Sequence, residues 1–255
     1  MDLALVRARL DWERQYLATH GGPIESLADL TRIAGAHGDW HSIVWSALDE
    51  ATADRAIEEQ IAHYRTLGAE VEWKVYAHDS PADLGERLAR HGFEIGPCEA
   101  VVVLDLAEQP AWIEESDTRH VIRVTTLDQV EEFRLKAERI FGSVRSTTAE
   151  ELARSLASES PTQFGYLAMV EGEAVSVGRL YVHPESHFGG LYGGGTLLEH
   201  RSAGHYRATV AARCRDAAQR GIRYMLVDAL PTSRPILERL GFVHLTDTWP
   251  CVWRP

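Results

Sequence analysis

The sequence predicts an α/β protein whose two halves share one order of helices and strands. The second half reads as strands, a glycine-containing loop, a helix, a buried strand and a short helix that ends in Gly241-Phe242. The first half has a similar helix–strand–helix order that ends in Gly92-Phe93. With 255 residues, of which 45% are hydrophobic, the chain is long enough for one large or two small cores. We therefore expect an α/β (α+β) fold in two domains.

Apolar spacing defines the early elements of the second half. The expected elements are a strand at residues 121–124, helices at residues 127–141 and 149–158, and strands at residues 164–170 and 174–182. The turn Glu171-Gly172-Glu173 between the last two strands indicates a β-hairpin.

The most specific pattern of the chain follows a predicted strand at residues 190–198. Arg201 and Gly204 lie in the loop that leads from this strand to a helix. Such a loop leaves several backbone N–H groups unpaired at the helix N-terminus, and that arrangement binds phosphate. We interpret it as a pyrophosphate-binding loop, although a plain connection between a strand and a helix would also account for Arg-x-x-Gly.

The helix after this loop is predicted from apolar residues that recur every three or four positions. These residues are Tyr206, Val210, Ala211, Cys214, Ala217 and Ala218. Arg213, Arg215 and Asp216 are expected on the other side of the helix, and Gly221 is expected to end it.

The chain then reads as a buried strand, a short helix and a final pair of strands. The strand is expected at residues 222–229, and the helix begins with Pro231-Thr232-Ser233 and runs through Leu237 and Leu240. The strand pair is expected after Gly241-Phe242.

This order of elements, with its Arg-x-x-Gly loop and its Gly-Phe end, resembles the GNAT superfamily of N-acetyltransferases from His120 to the end of the chain. The resemblance implies a mixed, mostly antiparallel sheet flanked by helices. It also implies transfer of an acetyl group from acetyl coenzyme A, as the acyl-donor substrate, to an amine of a small molecule or peptide.

The resemblance further implies where acetyl coenzyme A binds. The pantetheine arm would lie along the strand at residues 190–198, where a backbone N–H polarises the thioester carbonyl. The pyrophosphate would lie on the N–H groups of the loop, with arginines adding charge-assisted contacts. The implied cofactor-binding residues are Thr196, Leu197, Leu198, Arg201, Ser202, Ala203, Gly204, His205, Tyr206, Arg207, Thr232 and Ser233.

The sequence departs from the family pattern at three positions. Tyr206 stands where the loop usually has Gly or Ala, Leu230 replaces an Asn, and Leu237 replaces the Tyr that reprotonates the coenzyme thiolate. The candidates for catalysis and proton transfer are Tyr192, Tyr206 and Glu199, with His200 and His205 as further bases near the loop. Each of these could instead be a solvated loop side chain, and we expect no metal site.

The first half resembles a second, degenerate copy of the same domain, although helix–Gly–strand–helix–Gly-Phe is also a common α/β order. Residues 88–93 match residues 237–242 at a shift of 149 positions. In place of the phosphate loop, residues 48–54 contain Asp49, Glu50 and Asp54 and no glycine, and these acids would repel a pyrophosphate. We predict a domain without a cofactor site at residues 1–107, a linker at 108–118 and an acetyltransferase domain at 119–255.

Composition limits the partners and the compartment. A net charge of −12 disfavours nucleic acid and anionic membranes and suits a cationic amine, although many proteins are acidic only for solubility. The three cysteines lack metal spacing, and no apolar run or N-terminal signal pattern is present, so we expect a cytoplasmic protein with reduced thiols. The sequence leaves open whether the protein forms a homodimer.

The sequence also allows two alternative functions. One is a coenzyme A-binding regulatory module without turnover, and the other is a structural or interaction protein.

Overall fold

The computed structural model describes residues 1–17, 23–34, 41–142 and 147–255. Its helices are α1 (Leu3–Tyr16), α2 (Ala53–Leu67), α3 (Leu84–Arg90), α4 (Ala111–Glu115), α5 (Leu127–Phe141), α6 (Thr147–Ala157), α7 (His205–Gln219) and α8 (Arg234–Arg239). Its strands are β1 (Ile24–Ser26), β2 (Leu30–Ile33), β3 (His41–Ser46), β4 (Val71–Tyr76), β5 (Glu94–Ile95), β6 (Glu99–Asp105), β7 (Val121–Arg123), β8 (Gln163–Val170), β9 (Glu173–Val182), β10 (Phe188–Thr196), β11 (Tyr224–Ala229) and β12 (Val243–Trp253). Among these described residues, none of the helices is both long and apolar enough to span a membrane.

The chain divides into two compact units. Unit 1 comprises residues 1–103 and 228–255, and unit 2 comprises residues 104–227. The last 28 residues, which include α8 and β12, therefore belong with the first half of the chain rather than with residues 119–227. The domain boundaries predicted from the sequence stay a prediction.

Unit 1 is built on a mixed sheet with the order β1-β2-β3-β4-β12-β6, and β5 pairs with β12. Strands β3 and β4 are parallel, whereas β12 is antiparallel to both β4 and β6. Alternation along β4 buries Trp73 against Ile57 of α2, Leu88 of α3 and Cys251 of β12. The predicted final strand pair is wrong: residues 243–253 form one long strand, because both halves of that segment find partners in unit 1.

Unit 2 contains the strands β7-β8-β9-β10-β11 in that order, and helices α5, α6 and α7 pack on them. Only the β10–β11 pair is parallel. The predicted helix at residues 127–141 is confirmed at both ends, with Thr126 capping its first turn and Gly142 ending it at φ +77°. The predicted mixed, mostly antiparallel sheet flanked by helices is confirmed.

Strands β10 and β11 part soon after they begin. They pair only at residues 188–190 and 224–226, although β10 continues to Thr196 alongside β9. Beyond Gly190 the edge of β10 is therefore not paired with β11. This edge is the feature of the fold that positions the candidate site.

The predicted linker is an ordered part of unit 2. Helix α4 lies within it, and Arg215 of α7 holds its end: Nη2 donates to the carbonyls of Ile113, Glu114 and Ser116 at 2.5, 2.8 and 3.0 Å. Nη1 of the same guanidinium donates to Thr118 Oγ1 at 2.5 Å. Four hydrogen bonds therefore tie this segment to α7.

Candidate functional site

The loop between β10 and α7 ends in a helix start that lacks a side-chain cap. After β10, residues 198–200 form one turn of 3₁₀ helix, and α7 begins at His205. Gly204 is the N-cap residue, with φ +87° and ψ −4°. Because glycine has no side chain, it offers no side-chain oxygen to cap the first turn. A left-handed conformation here favours glycine, which explains why the loop has Gly at this position.

The first turn of α7 offers a row of unpaired backbone donors. The first intrahelical bond runs from Ala208 N–H to the Gly204 carbonyl at 2.9 Å. Within the described part of the chain, no N–H group from Ser202 to Arg207 donates to a protein acceptor. Together with the positive end of the helix dipole, these groups favour a bound anion.

In unit 1, a carboxylate binds two N–H groups just before the corresponding helix. Asp49 accepts N–H bonds from Ala51 at 2.9 Å and Thr52 at 2.8 Å, and its own carbonyl accepts from Ala53. Hydrogen bonds from Thr52 are the largest cause that holds the pKa of Asp49 below its usual value. An internal carboxylate therefore lies just before α2, whereas no side chain of the described residues accepts from the N–H groups of residues 202–207.

The two arginines near the loop, one before α7 and one in its first turn, contact different parts of unit 2. Arg201 is exposed, and its Nε donates to the Thr196 carbonyl at 3.2 Å. Arg207 donates from Nε to Ser116 Oγ at 3.2 Å, and its guanidinium lies 5.9 Å from the centroid of the Trp112 ring. Arg201 is thus held beside the loop, while Arg207 is engaged with α4 and the residue after it.

Of the three predicted donors at the end of the strand, only Thr196 fits the role. Leu197 N–H donates to the Val175 carbonyl at 2.9 Å, so this group is taken by β9. Because backbone groups alternate along an antiparallel strand, the Thr196 N–H faces away from β9. Leu198 lies in the 3₁₀ turn beyond the strand, since β10 ends two residues earlier than predicted.

The two candidate tyrosines lie at either end of a bulge in β10. The pairing of β10 with β9 shifts between Tyr192 and Gly195, and Gly193 has φ +51°. The Tyr192 ring lies over Gly190, where a Cβ would collide with it. The Tyr206 ring reaches the other end, 3.2 Å from the point where a Cβ of Gly194 would stand, and burial raises the pKa of its hydroxyl.

Glu199 and His205 differ in their electrostatic surroundings. Glu199 is exposed and ion-paired with Arg139 at 2.5 Å; a hydrogen bond from its own backbone N–H, followed by Arg139, lowers its pKa. His205 Nδ1 lies 3.2 Å from His120 Nε2, and burial, followed by His120 and His200, lowers the pKa of His205. A pKa below the usual value leaves His205 as an uncharged imidazole at neutral pH, so it can accept a proton.

The remaining predicted residues lie in unit 1. Ser233 is the N-cap residue of α8, and its Oγ donates to the Leu230 carbonyl at 3.2 Å; Thr232 precedes it in the same turn. Leu237 is completely buried in α8, so this position serves packing. The phosphate-binding candidates of residues 196–207, by contrast, all belong to unit 2.

Arg213 departs from the sequence-based expectation. It was expected on the polar side of α7, but its side chain is 1% exposed and lies under the sheet of unit 2. The spacing carries a signal for this, because position 213 lies three residues after Val210 and four before Ala217, on the apolar stripe. Gly178 and Gly194 leave the room that the guanidinium occupies.

Comparison with known proteins identifies the fold. No protein-family model and no curated protein matches the chain. Among solved structures, a GCN5-related N-acetyltransferase from Kribbella flavida matches with a TM-score of 0.70 and 15% identity, covering 98% of this chain and 95% of that one. A GCN5-related N-acetyltransferase from Sphaerobacter thermophilus gives 0.59 and 13%, with 89% and 78% covered. A tandem GNAT protein of the clavulanic acid biosynthesis pathway gives 0.54 and 12%, with 88% and 78% covered. The GNAT resemblance seen in the sequence is confirmed at the level of structure, and this chain has the GNAT fold.

Proposed function

We propose that the protein is an N-acetyltransferase that moves the acetyl group of acetyl coenzyme A to an amine of a small molecule or peptide. The observation that carries the proposal is the row of unpaired N–H groups from Ser202 to Arg207, at the end of a strand whose neighbour has turned away. Most of these residues are exposed, so their N–H groups are open to an anionic ligand in place of water.

The chain's own residues suggest how the donor is held. The pyrophosphate takes the amide groups at the start of α7, with Arg201 beside them. The pantetheine arm lies along β10 beyond Gly190, where the backbone edge is not paired with β11. The N–H of Thr196 faces this edge and polarises the thioester carbonyl, so that an uncharged amine can attack it.

Unit 1 takes no coenzyme A in this proposal. Asp49 already accepts from two N–H groups just before α2, and its charge repels phosphate. One coenzyme A per chain is therefore expected. The net charge of −12 suits an acceptor that arrives as a cation.

A second candidate function is a coenzyme A-binding module without turnover. The observation that favours it is Leu237, which is completely buried where the family has a tyrosine acid. Tyr192 and Tyr206 are the alternative proton donors in unit 2. If neither acts, the thiolate must be protonated by solvent.

Two measurements separate these functions. Isothermal titration with coenzyme A tests binding, and thiol release from acetyl coenzyme A over a panel of amines tests turnover. The panel includes glucosamine, because a fungal glucosamine N-acetyltransferase region matches this chain with a TM-score of 0.60 and 11% identity. Binding with amine-dependent thiol release supports the enzyme, binding without release supports the module, and absence of binding refutes both.

A further inference from the structure

Arg213 is a buried cation with one unpaired nitrogen. Its Nε donates to the Thr209 carbonyl at 3.0 Å, and its Nη1 donates to the Arg179 carbonyl at 3.1 Å. Its Nη2 is shielded from solvent and has no hydrogen-bond partner among the described residues. An unpaired buried donor is rare in folded proteins and calls for a physical reason.

The charge of Arg213 is also uncompensated. No carboxylate of the described residues forms an ion pair with it, and its nearest titratable neighbours are Tyr206, Cys214 and Tyr166, which are uncharged at neutral pH. Burial lowers the pKa of the guanidinium, although an arginine stays protonated. A lone buried cation destabilises a fold, and a neutral side chain would avoid this penalty.

The unpaired nitrogen lies at the bulge of β10. Nη2 is 3.2 Å from the point where a Cβ of Gly194 would stand, and Tyr206 Cε2 is at the same distance from that point. Gly178 of β9 also lies directly against the guanidinium. Two glycines thus let the cation approach the strand along which the proposed function places the acyl donor.

We propose that Arg213 is an electrostatic residue of acyl transfer, whose charge stabilises the negative charge that develops on the acyl donor beside the bulge of β10. This inference rests on the proposed function. The amine nitrogen forms a bond to the thioester carbon, and the carbonyl electron pair moves to oxygen. When the carbonyl re-forms, the carbon–sulfur bond breaks, sulfur leaves with the electron pair, and the amine loses a proton to water.

In this role Arg213 acts through its charge and gives up no proton. A fixed cation stabilises a thiolate as a leaving group without protonating it, which compensates for the loss of the acid at Leu237. It also explains why a lone cation is retained in the interior, because negative charge appears near it only during the reaction.

The test is the ionisation of the coenzyme A thiol when bound. The thiolate absorbs in the ultraviolet, and the difference between complexes with coenzyme A and with desulfo-coenzyme A isolates its signal during a pH titration. A free thiol has a pKa of about 8.5, and a nearby cation lowers it by about one unit or more. We expect this lowering in the wild type and in Arg213→Lys, and its loss in Arg213→Gln and Arg213→Met.

Three further readouts separate electrostatics from folding. We expect Arg213→Gln to lower kcat by about a hundredfold with little change in KM, while its melting temperature stays equal or rises. Arg213→Lys is expected to recover part of the loss. Arg220→Met is the matched control: it removes a cation from the C-cap of the same helix, one that is paired with Asp216 at 2.9 Å, and is expected to leave the thiol pKa unchanged.

Equal thiol pKa values in the wild type and Arg213→Gln, with coenzyme A bound to both, would overturn the inference and leave the proposed function standing. Loss of folding in both neutral variants would also overturn it, because the side chain would then be structural. Failure of the wild type to bind coenzyme A would refute the proposed function and the inference together.

Discussion

Substitution of Gly204 by Glu tests the phosphate-binding loop directly. Gly204 has φ +87°, and a Cβ at this position would meet no atom within 4 Å. The side chain therefore fits, but the backbone conformation disfavours it. A carboxylate placed here stands at the first turn of α7, beside the unpaired N–H groups.

The Gly204→Glu substitution introduces both backbone strain and charge repulsion, and the two differ in size. A left-handed conformation costs a non-glycine residue about 1–2 kcal/mol, whatever its charge. Two unit charges about 6 Å apart repel each other by about 3 kcal/mol at an effective dielectric constant of about 20. Each 1.4 kcal/mol is tenfold in Kd, so the carboxylate alone should weaken coenzyme A binding by about a hundredfold.

Isothermal titration with coenzyme A measures this effect, and two variants control it. Gly204→Ala carries the strain without the charge, and its affinity gives the baseline for Gly204→Glu. Gly221→Glu has the same strain and charge just past the C-terminal end of α7, at φ +80° and with the same open space. It should bind as the wild type does. Equal affinities for Gly204→Glu and Gly221→Glu would refute the assignment of the pyrophosphate to this loop.

Three further predictions follow from the geometry. Asp49→Ala removes the acceptor of two N–H groups just before α2 and should lower Tm by roughly 2–4 °C in a thermal melt; an unchanged Tm would show that these hydrogen bonds contribute nothing. Burial lowers the pKa of His205 in the folded chain, so its contribution to the free energy of unfolding should be fully present above about pH 6.5 and be lost as the pH falls from that value through the lower pKa of the folded chain. Denaturant melts measure this loss, which should be smaller in His205→Gln. Tyr192→Phe and Tyr206→Phe should each lower kcat by less than about a hundredfold in the thiol-release assay, and complete loss in either, with binding intact, would identify an indispensable acid.

Local elements could be predicted from the sequence because their causes are local. Helix α5 and strand β4 have the bounds that apolar spacing and flanking glycines indicate. The loop that opens α7 was also predictable, since Gly204 marks a left-handed N-cap and Arg201 accompanies it. These features depend on residues within one or two turns of each other.

The predictions are wrong where contacts with residues distant in the sequence determine the structure. Strand β12 was expected to be a pair of strands, but residues 71–76 and 99–103 provide partners along its whole length. Arg213 was expected at the surface, but Gly178, 35 positions earlier in the chain, makes room for its guanidinium. In both cases the usual interpretation of the local sequence is wrong, because contacts with residues distant in the chain outweigh it.

The N-terminal ends of α2 and α7 differ in whether a side chain already accepts from the backbone N–H groups there. The acids of residues 48–54 were predicted to exclude phosphate by repulsion, and the structure adds a stronger reason. Asp49 accepts from the N–H groups of Ala51 and Thr52, so two donors just before α2 are already used. At α7 the residue before the helix is Gly204, which has no side-chain oxygen, and the donors remain unpaired. Since the Asp49 carboxylate and a pyrophosphate would compete for the same two groups, the loop before α2 is less suited to an anionic ligand than the loop before α7.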